Sequence, residues 1–148
     1  MVGGSIRGFT QVSLSVADLD RSRRFHHEVL DLPLLADLYE GTAFDDRELM
    51  LLVGHSALCR QEHRSNRGAP FEPSHTGLDH LSFGVRSTEE LAAGAACLGS
   101  ASVEDSGIRP LPGFGHFIEF GDPDRIQLEL HSLGSLDPRQ PLATSSGM

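Results

Sequence analysis

The sequence predicts an α+β fold: two βαβββ modules that form a cupped mixed β-sheet with helices outside. Residues 8–16 (GFTQVSLSV) and 77–85 (GLDHLSFGV) repeat one pattern at an offset of 69, which aligns Gln11 with His80. Both segments alternate polar and apolar residues, as a half-buried strand does, and a helix start follows each of them. The repeat therefore predicts a duplicated module, with a candidate site between the copies.

In module one, Asp18 or Asp20 is suited to cap a helix that runs to about Leu30. A strand is predicted at Leu34–Tyr39. The segments Thr42–Phe44 and Glu48–Val53 then form a hairpin that turns near Asp45-Asp46. Residues 55–75 are polar, contain two prolines and show no period, so they are predicted to form a linker.

In module two, Ser87 and Glu90 have capping-box spacing at the start of a helix that ends at Gly99. A short strand is predicted at Ser102–Asp105, a loop at 108–115 and a strand at His116–Phe120. Gly121-Asp122-Pro123-Asp124 predicts a turn before the last strand, Ile126–His131.

These elements predict a single domain over residues 5–134, followed by a flexible C-terminal tail at 135–148. Within it, module one spans 5–56, the linker 57–75 and module two 76–134.

Composition excludes several classes of function. The net charge of −9 argues against nucleic acid as a partner, since such binding depends on basic patches. Lysine is absent, which excludes Schiff-base chemistry. No apolar run approaches the roughly 18 to 20 residues of a membrane span, and the N-terminus lacks a signal peptide's apolar stretch. Two cysteines make no disulfide framework, so a cytoplasmic location is expected.

Polar residues occupy one face of three predicted strands. Gln127, Glu129 and His131 alternate with apolar residues on the last strand, as the polar residues of the two repeated strands also do. Because side chains alternate faces along a strand, the polar set must face water or a cavity if the apolar set packs under the helices.

The chain resembles the vicinal oxygen chelate superfamily over roughly Gly8 to His131. Members include glyoxalase I, fosfomycin-resistance thiol transferases, extradiol dioxygenases, methylmalonyl-CoA epimerase and bleomycin-binding proteins. The resemblance lies in three segments: QVSLSVADLDRS from Gln11, GLDHLSF from Gly77 and GDPDRIQLEL from Gly121.

The resemblance implies a metal site built from Gln11, His80 and Glu129. The family's fourth ligand position, on the last strand of module one, falls on Leu51 or Leu52, and neither can bind a metal. Three protein ligands leave coordination positions open for a chelating substrate and water. One imidazole and two oxygen donors suit one divalent ion per site: Mn²⁺, Fe²⁺, Ni²⁺, Zn²⁺ or Mg²⁺.

Further residues are expected to line the cavity. Glu119 alternates with apolar residues on its strand and is the candidate catalytic acid or base; otherwise it is a solvated strand carboxylate. Candidate substrate-cavity residues are Ser13, Ser82, Phe117 and His131. The two helix histidines, His26 and His27, are expected at the solvated surface. The histidines and arginines of residues 55–75, Arg60 among them, belong to the linker, with a role in gating the substrate as the alternative.

The resemblance implies a metal-dependent enzyme of the glyoxalase type, a lyase or isomerase, that binds a small substrate through two neighbouring oxygens. One alternative is a metal-free protein that binds an antibiotic or other small molecule, although the chain has no Trp and one Tyr. Extradiol dioxygenase chemistry is a second alternative, but it favours two histidines and one carboxylate. A homodimer is expected, with the site formed either within one chain or across a swapped dimer.

Overall fold

The computed structural model describes residues 5–38 and 46–133, which contain two four-stranded mixed sheets. The chain divides into two compact units: Met1–Phe71 with Asp122–Arg125, and Glu72–Gly121 with Ile126–Met148. The predicted strand at Thr42–Phe44 and the tail at 135–148 lie outside the described residues.

Module one contains β1 (Gln11–Ser15), α1 (Leu19–Arg23), β2 (Leu34–Leu38), β3 (Arg47–Val53) and β4 (Ser56–Glu62). Asp18 caps α1 by accepting a hydrogen bond from the Arg21 N–H at 2.8 Å, and a π-helical segment, Arg24–Val29, continues the helix. The sheet order is β1-β4-β3-β2, in which β1 is parallel to β4 and the other pairs are antiparallel.

Module two contains β5 (Leu81–Val85), α2 (Thr88–Ser100), β6 (Arg109–Leu111), β7 (Gly115–Gly121) and β8 (Gln127–Ser132). Its sheet order is β5-β8-β7-β6, with β5 parallel to β8. Ser87 caps α2 by accepting from the Glu90 N–H at 3.2 Å. The same order and pairing in both sheets confirm the predicted pair of βαβββ modules.

The linker predicted at 57–75 begins too early, because β4 occupies Ser56–Glu62 and pairs with both β1 and β3. The last strand of module one is therefore β4, not the Glu48–Val53 segment. The alternation of β4 was hidden because a charged residue, Arg60, takes a core position. Leu51, proposed at the fourth ligand position, is fully buried in the core.

Two predictions in module two were also wrong. Ser102–Asp105 is not a strand; Asp105 forms only an isolated bridge to Phe120, and Ser102 has a positive φ of 57°. The loop predicted at 108–115 contains the edge strand β6, which tolerates Pro110 because one side of an edge strand has no partner.

Each module has an apolar core beneath its helix. In the first unit the core is formed by Leu14, Val16, Leu19, Phe25, Leu49, Leu51 and Leu58, and in the second by Leu91, Leu98, Ile118, Phe120, Ile126 and Leu128. Within the described residues, no helix is long and apolar enough to cross a membrane.

A buried polar cluster lies in the first unit. Arg60 and His26 are both fully buried, and the Arg60 guanidinium donates to His26 Nε2. His26 Nδ1 in turn donates to the Ser22 carbonyl at 2.8 Å, which fixes the neutral tautomer. The prediction of a solvated His26 is wrong, because this residue shares the inward helix face of Leu19 and Ser22.

The charge of Arg60 is balanced by the turn that precedes β8. Burial lowers the pKa of Arg60 to about 10, whereas the charges of Asp122 and Asp124 raise it. Asp122 is itself buried, and its Oδ2 lies 3.9 Å from His26 Nε2. A buried cation of this kind is stable only with nearby compensating charge.

We predict that His26 makes the fold sensitive to acid. Burial, followed by the charge of Arg60, lowers its pKa to about 3, below the ordinary value of 6.5. Between these two pH values the unfolded chain binds a proton at His26 and the folded chain does not. The contribution of neutral His26 to the free energy of unfolding is therefore fully present above about pH 6.5. It falls as the pH drops towards 3, by up to about 1.4 kcal/mol per pH unit.

Urea unfolding between pH 7.5 and pH 4 measures this loss, and His26→Gln should flatten it even if the variant is less stable at pH 7.5. His55→Gln, the same exchange at an exposed turn, is the matched control. An unchanged pH dependence in His26→Gln would show that other groups cause the acid sensitivity.

Candidate functional site

His80 and Glu129 face each other on the polar side of the module-two sheet. His80 Nε2 and Glu129 Oε2 are 3.9 Å apart. The other ring nitrogen of His80, Nδ1, is 2.6 Å from Asp79 Oδ1, and the other carboxylate oxygen, Glu129 Oε1, accepts from the Ser82 hydroxyl at 2.8 Å. The hydrogen bond with Asp79 thus orients the imidazole of His80, and the hydrogen bond from Ser82 orients the carboxylate of Glu129.

The hydrogen bond between His80 and Asp79 is of a kind that metal-binding histidines often make. Such histidines typically donate their second N–H to a carboxylate, which fixes the tautomer and leaves the other nitrogen with its lone pair. The hydrogen bond to Asp79, with the nearby charges of Glu129 and Glu119, raises the pKa of His80. The side chain of His80 is 43% exposed and that of Glu129 is 12% exposed, so a ligand can reach the pair from solvent.

His131 lies beside this pair. Its Nε2 donates to the Phe114 carbonyl at 2.7 Å, and its Nδ1 lies 3.4 Å from Glu129 Oε1. The Phe117 ring meets the imidazole edge-on at a centroid distance of 6.2 Å. His131 and Phe117 are therefore held on the face that carries Glu129, with one imidazole nitrogen directed at the carboxylate.

Glu119 lies on the same face, directly opposite Glu129 in the β7–β8 register. Both of its oxygens accept hydrogen bonds, from Arg109 at 3.1 Å and from Gln127 at 3.0 Å. The carboxylate is thus positioned by neighbouring side chains of its own sheet, one strand away from the His80–Glu129 pair.

In module one, Gln11 lies on the polar face of β1, and the Cys59 thiol of β4 lies against it. The Cys59 Sγ is 3.9 Å from Gln11 Oε1. Cys59 is fully buried, and burial, followed by a hydrogen bond to Glu48, raises its pKa to about 11. Ser13 is the register partner of Cys59 on the neighbouring strand, so its side chain shares this face.

Cys59 is the polar residue that the sequence-based analysis missed on this face. The segment LCRQ at 58–61 aligns with LELH at 128–131 at an offset of 70, close to the 69 of the first strands. Only Leu58 and Leu128 are identical in these segments, so the sequence alone does not identify β4, and the strand registers are what match Cys59 to Glu129.

The structure thus brings His80, Glu129, His131 and Ser82 together in module two, and Gln11, Ser13 and Cys59 in module one. Within the residues described, no three His, Cys, Asp or Glu side chains converge as a metal cluster. Each module instead supplies one facing pair of donors. Imidazole nitrogen, carboxylate and amide oxygen are all ligands of divalent transition metals, so the donor set suits such an ion.

A cavity of about 710 Å³ lies elsewhere in module two, near the N-terminus of α2. Arg86, Leu111, His116 and Ser132 are among the residues that line it. His116 and Ser132 pair in the β7–β8 register and alternate with Phe117 and His131, so the cavity lies off the face that carries the candidate site.

Comparison with known families identifies one match. Residues 8–130 match the model of the Glyoxalase/Bleomycin resistance protein/Dioxygenase superfamily. No curated protein matches the chain.

Two similar solved structures are proteins with the same family description. A glyoxylase/bleomycin resistance protein/dioxygenase domain from Frankia sp. EAN1pec is 32% identical, with 87% of this chain and 99% of that chain covered and a TM-score of 0.78. A glyoxalase family protein from Enterococcus faecalis is 26% identical, with 86% and 99% covered and a TM-score of 0.71.

A third structure contains ligands. It is a variant of the fosfomycin resistance protein FosX from Listeria monocytogenes, complexed with Mn(II) and 1S,2S-dihydroxypropylphosphonic acid. It is 25% identical to this chain, with 90% of this chain and 98% of that chain covered and a TM-score of 0.68.

Proposed function

Because the chain belongs to the Glyoxalase/Bleomycin resistance protein/Dioxygenase superfamily, we propose that it is a divalent-metal-dependent enzyme of lyase or isomerase type. Its substrate would be a small molecule held through two neighbouring oxygens. The ligands we propose are His80 and Glu129 from module two and Gln11 from module one.

The His80–Glu129 pair is the observation that carries this proposal. The two donor atoms face each other at 3.9 Å, and each group is oriented by a second hydrogen bond of the kind that orients metal ligands, which supports the proposal. Without a metal ion, Asp79 and Glu129 leave an excess of negative charge around the neutral imidazole of His80. A divalent ion would remove that excess.

The ligands of the similar FosX structure support the substrate class. That protein was crystallised with Mn(II) and a phosphonic acid that carries hydroxyls on adjacent carbons. A compound with two neighbouring oxygens is the kind of substrate that three protein ligands and open coordination positions would accept.

Once bound, a divalent ion would supply Lewis-acid polarisation of the substrate's oxygens. The protein residues would do the rest. Glu119, held by Arg109 and Gln127 on the face of Glu129, is the proposed proton-transferring group. Ser82 and His131 would keep Glu129 oriented, and Phe117 would pack against a substrate.

Metal uptake tests the ligand assignment. We predict about one equivalent of Mn²⁺, Zn²⁺, Ni²⁺ or Fe²⁺ per chain and a higher melting temperature with metal, because binding to the folded state alone stabilises it. His80→Ala should abolish tight binding, and Glu129→Gln should weaken it by removing an anionic ligand. Gln11→His should strengthen binding, and Asp79→Asn should weaken it by about 10- to 100-fold.

Elemental analysis and thermal shift measure this uptake, and Glu104→Gln, the same charge change at an exposed residue, is the control. The proposal of a metal-dependent enzyme would be contradicted if the purified protein contained no metal and none of these ions shifted its melting temperature. The metal-free small-molecule-binding protein would then take its place.

Glu119 should affect turnover more than metal binding. A thermal-shift screen of diols, 2-oxoaldehyde–thiol adducts and antibiotics identifies a substrate first. With that substrate, Glu119→Gln should lower kcat by about 10²-fold, the typical contribution of a general acid or base, and leave metal uptake intact. Unchanged kinetics would mean that Glu119 only completes the hydrogen-bond network with Arg109 and Gln127.

We also propose that the protein is a homodimer. Light scattering at micromolar concentration should give twice the 16.0 kDa mass of the chain. A monomer mass would contradict a site shared between subunits, while leaving open a site formed within one chain.

A further inference from the structure

The cavity near the N-terminus of α2 lies beside the turn between β6 and β7. β6 ends at Leu111, and the Phe114 N–H closes the turn by donating to the Leu111 carbonyl at 2.8 Å. Gly115 follows with a φ of 96°, and a Cβ at this position would lie 1.9 Å from the Ser132 carbonyl oxygen. Only glycine therefore allows the turn to approach β8 so closely. The turn, the end of β8 and the start of α2 together enclose about 710 Å³.

The wall of this cavity combines apolar side chains with a few polar groups. Leu111 and Leu133 line it and remain 40% and 38% exposed. Arg86, His116 and Ser132 are among the polar residues of the wall, and Ser132 is only 2% exposed. Pockets that bind small molecules have this composition, in which apolar walls supply contact area and a few polar groups fix the orientation of the ligand.

The strand register brings the polar groups to one end of the cavity. Ser132 pairs with His116 on β7 and with Val85 on β5, and Arg86 directly follows Val85. Residues that pair across neighbouring strands share a face, so the side chains of His116 and Ser132 lie side by side. A guanidinium, an imidazole and a hydroxyl, all able to donate hydrogen bonds, therefore meet where β5, β7 and β8 end.

The charge of the cavity is opposite to that of the chain. The chain has a net charge of −9, yet none of the described residues that line the cavity is Asp or Glu. In the described part of the second unit, Arg109 pairs with Glu119 at 3.1 Å, whereas Arg86 forms no ion pair. The Glu90 carboxylate accepts from the backbone N–H of Arg86 at 2.8 Å and does not line the cavity. An anion in the cavity would therefore meet an uncompensated guanidinium.

From the apolar wall and the unpaired guanidinium we propose that this cavity binds a small amphiphilic acid, with an oxyanion head group and an apolar body. The head group, a carboxylate or a phosphate, would accept hydrogen bonds from Arg86, whose planar donors match both oxyanions. The apolar body would cover Leu111 and Leu133. Because the cavity lies off the face that carries Glu129, this binding site is independent of the metal-dependent function proposed above.

Isothermal titration calorimetry of the full-length protein tests the proposal, with octanoate and octyl phosphate as probes. EDTA in the buffer removes divalent ions, so neither probe can bind through a metal. We expect the acid probes to bind, and the tighter of the two identifies the head group. Octan-1-ol, which lacks the charge, should bind at least about tenfold less tightly. Each methylene removed from the tighter probe should weaken binding by up to about fourfold.

Two variants separate the contributions of the head group and the apolar body. Arg86→Gln should weaken binding of the acid probe by about tenfold or more and leave the affinity for octan-1-ol unchanged. Leu111→Asn should weaken binding of both compounds, because it removes apolar contact area. Arg67→Gln, the same exchange at an exposed residue of the other unit, is the matched control and should bind as the wild type does.

Three results would overturn the proposal. Octan-1-ol could bind as tightly as the acid probes, which would make the cavity an apolar surface without selectivity for anions. Arg86→Gln could retain the wild-type affinity for the acids, which would place the anion elsewhere. Neither acid probe could bind at millimolar concentration. The comparison of octan-1-ol with the acids uses the wild type alone, so it does not depend on the folding of Arg86→Gln.

Discussion

The parallel pairing of the first and last strands within each module is the constraint on which the rest of the structure depends. β1 pairs with β4, and β5 pairs with β8, in registers that match between modules. Since side chains alternate faces along a strand, this register decides at once which residues enter the core and which face the polar side. A slip of one residue in β8 would bury Glu129 and His131 and expose Leu128 and Leu130. The apolar cores thus hold the candidate ligands in place.

The sequence repeat was sufficient to predict two βαβββ modules, and the alternation on β8 was sufficient to place Glu129 and His131 on one face. The alternation of polar and apolar residues does not reveal β4, because Arg60 occupies a core position there. An arginine is a core residue only where its charge is compensated, and here the compensation comes from Asp122 and Asp124, more than sixty residues away in the sequence. Local patterning cannot reveal such a partner, so the sequence predicts a linker where the strand lies.

The same limit applies to Cys59 on β4. If β4 is left out, the last strand of module one becomes the preceding strand, where Leu51 belongs to the core. His26 is a second polar residue whose burial the sequence does not predict. Its polarity predicts a solvated residue, whereas Arg60 and Ser22 make hydrogen bonds to both of its ring nitrogens inside the core. Pairing partners distant in sequence determine all three positions, and only the strand register reveals them.

Electrostatics connects the polar faces to the proposed chemistry. In module two, Arg109 is the cation that pairs with Glu119, whereas Asp79 and Glu129 both act on His80 and raise its pKa. In module one, burial and then the hydrogen bond to Glu48 raise the pKa of the Cys59 thiol. A divalent ion would satisfy the face of module two, since it would accept the Glu129 carboxylate and the His80 lone pair. A neutral small molecule would do neither, and this contrast supports the proposed metal-dependent function.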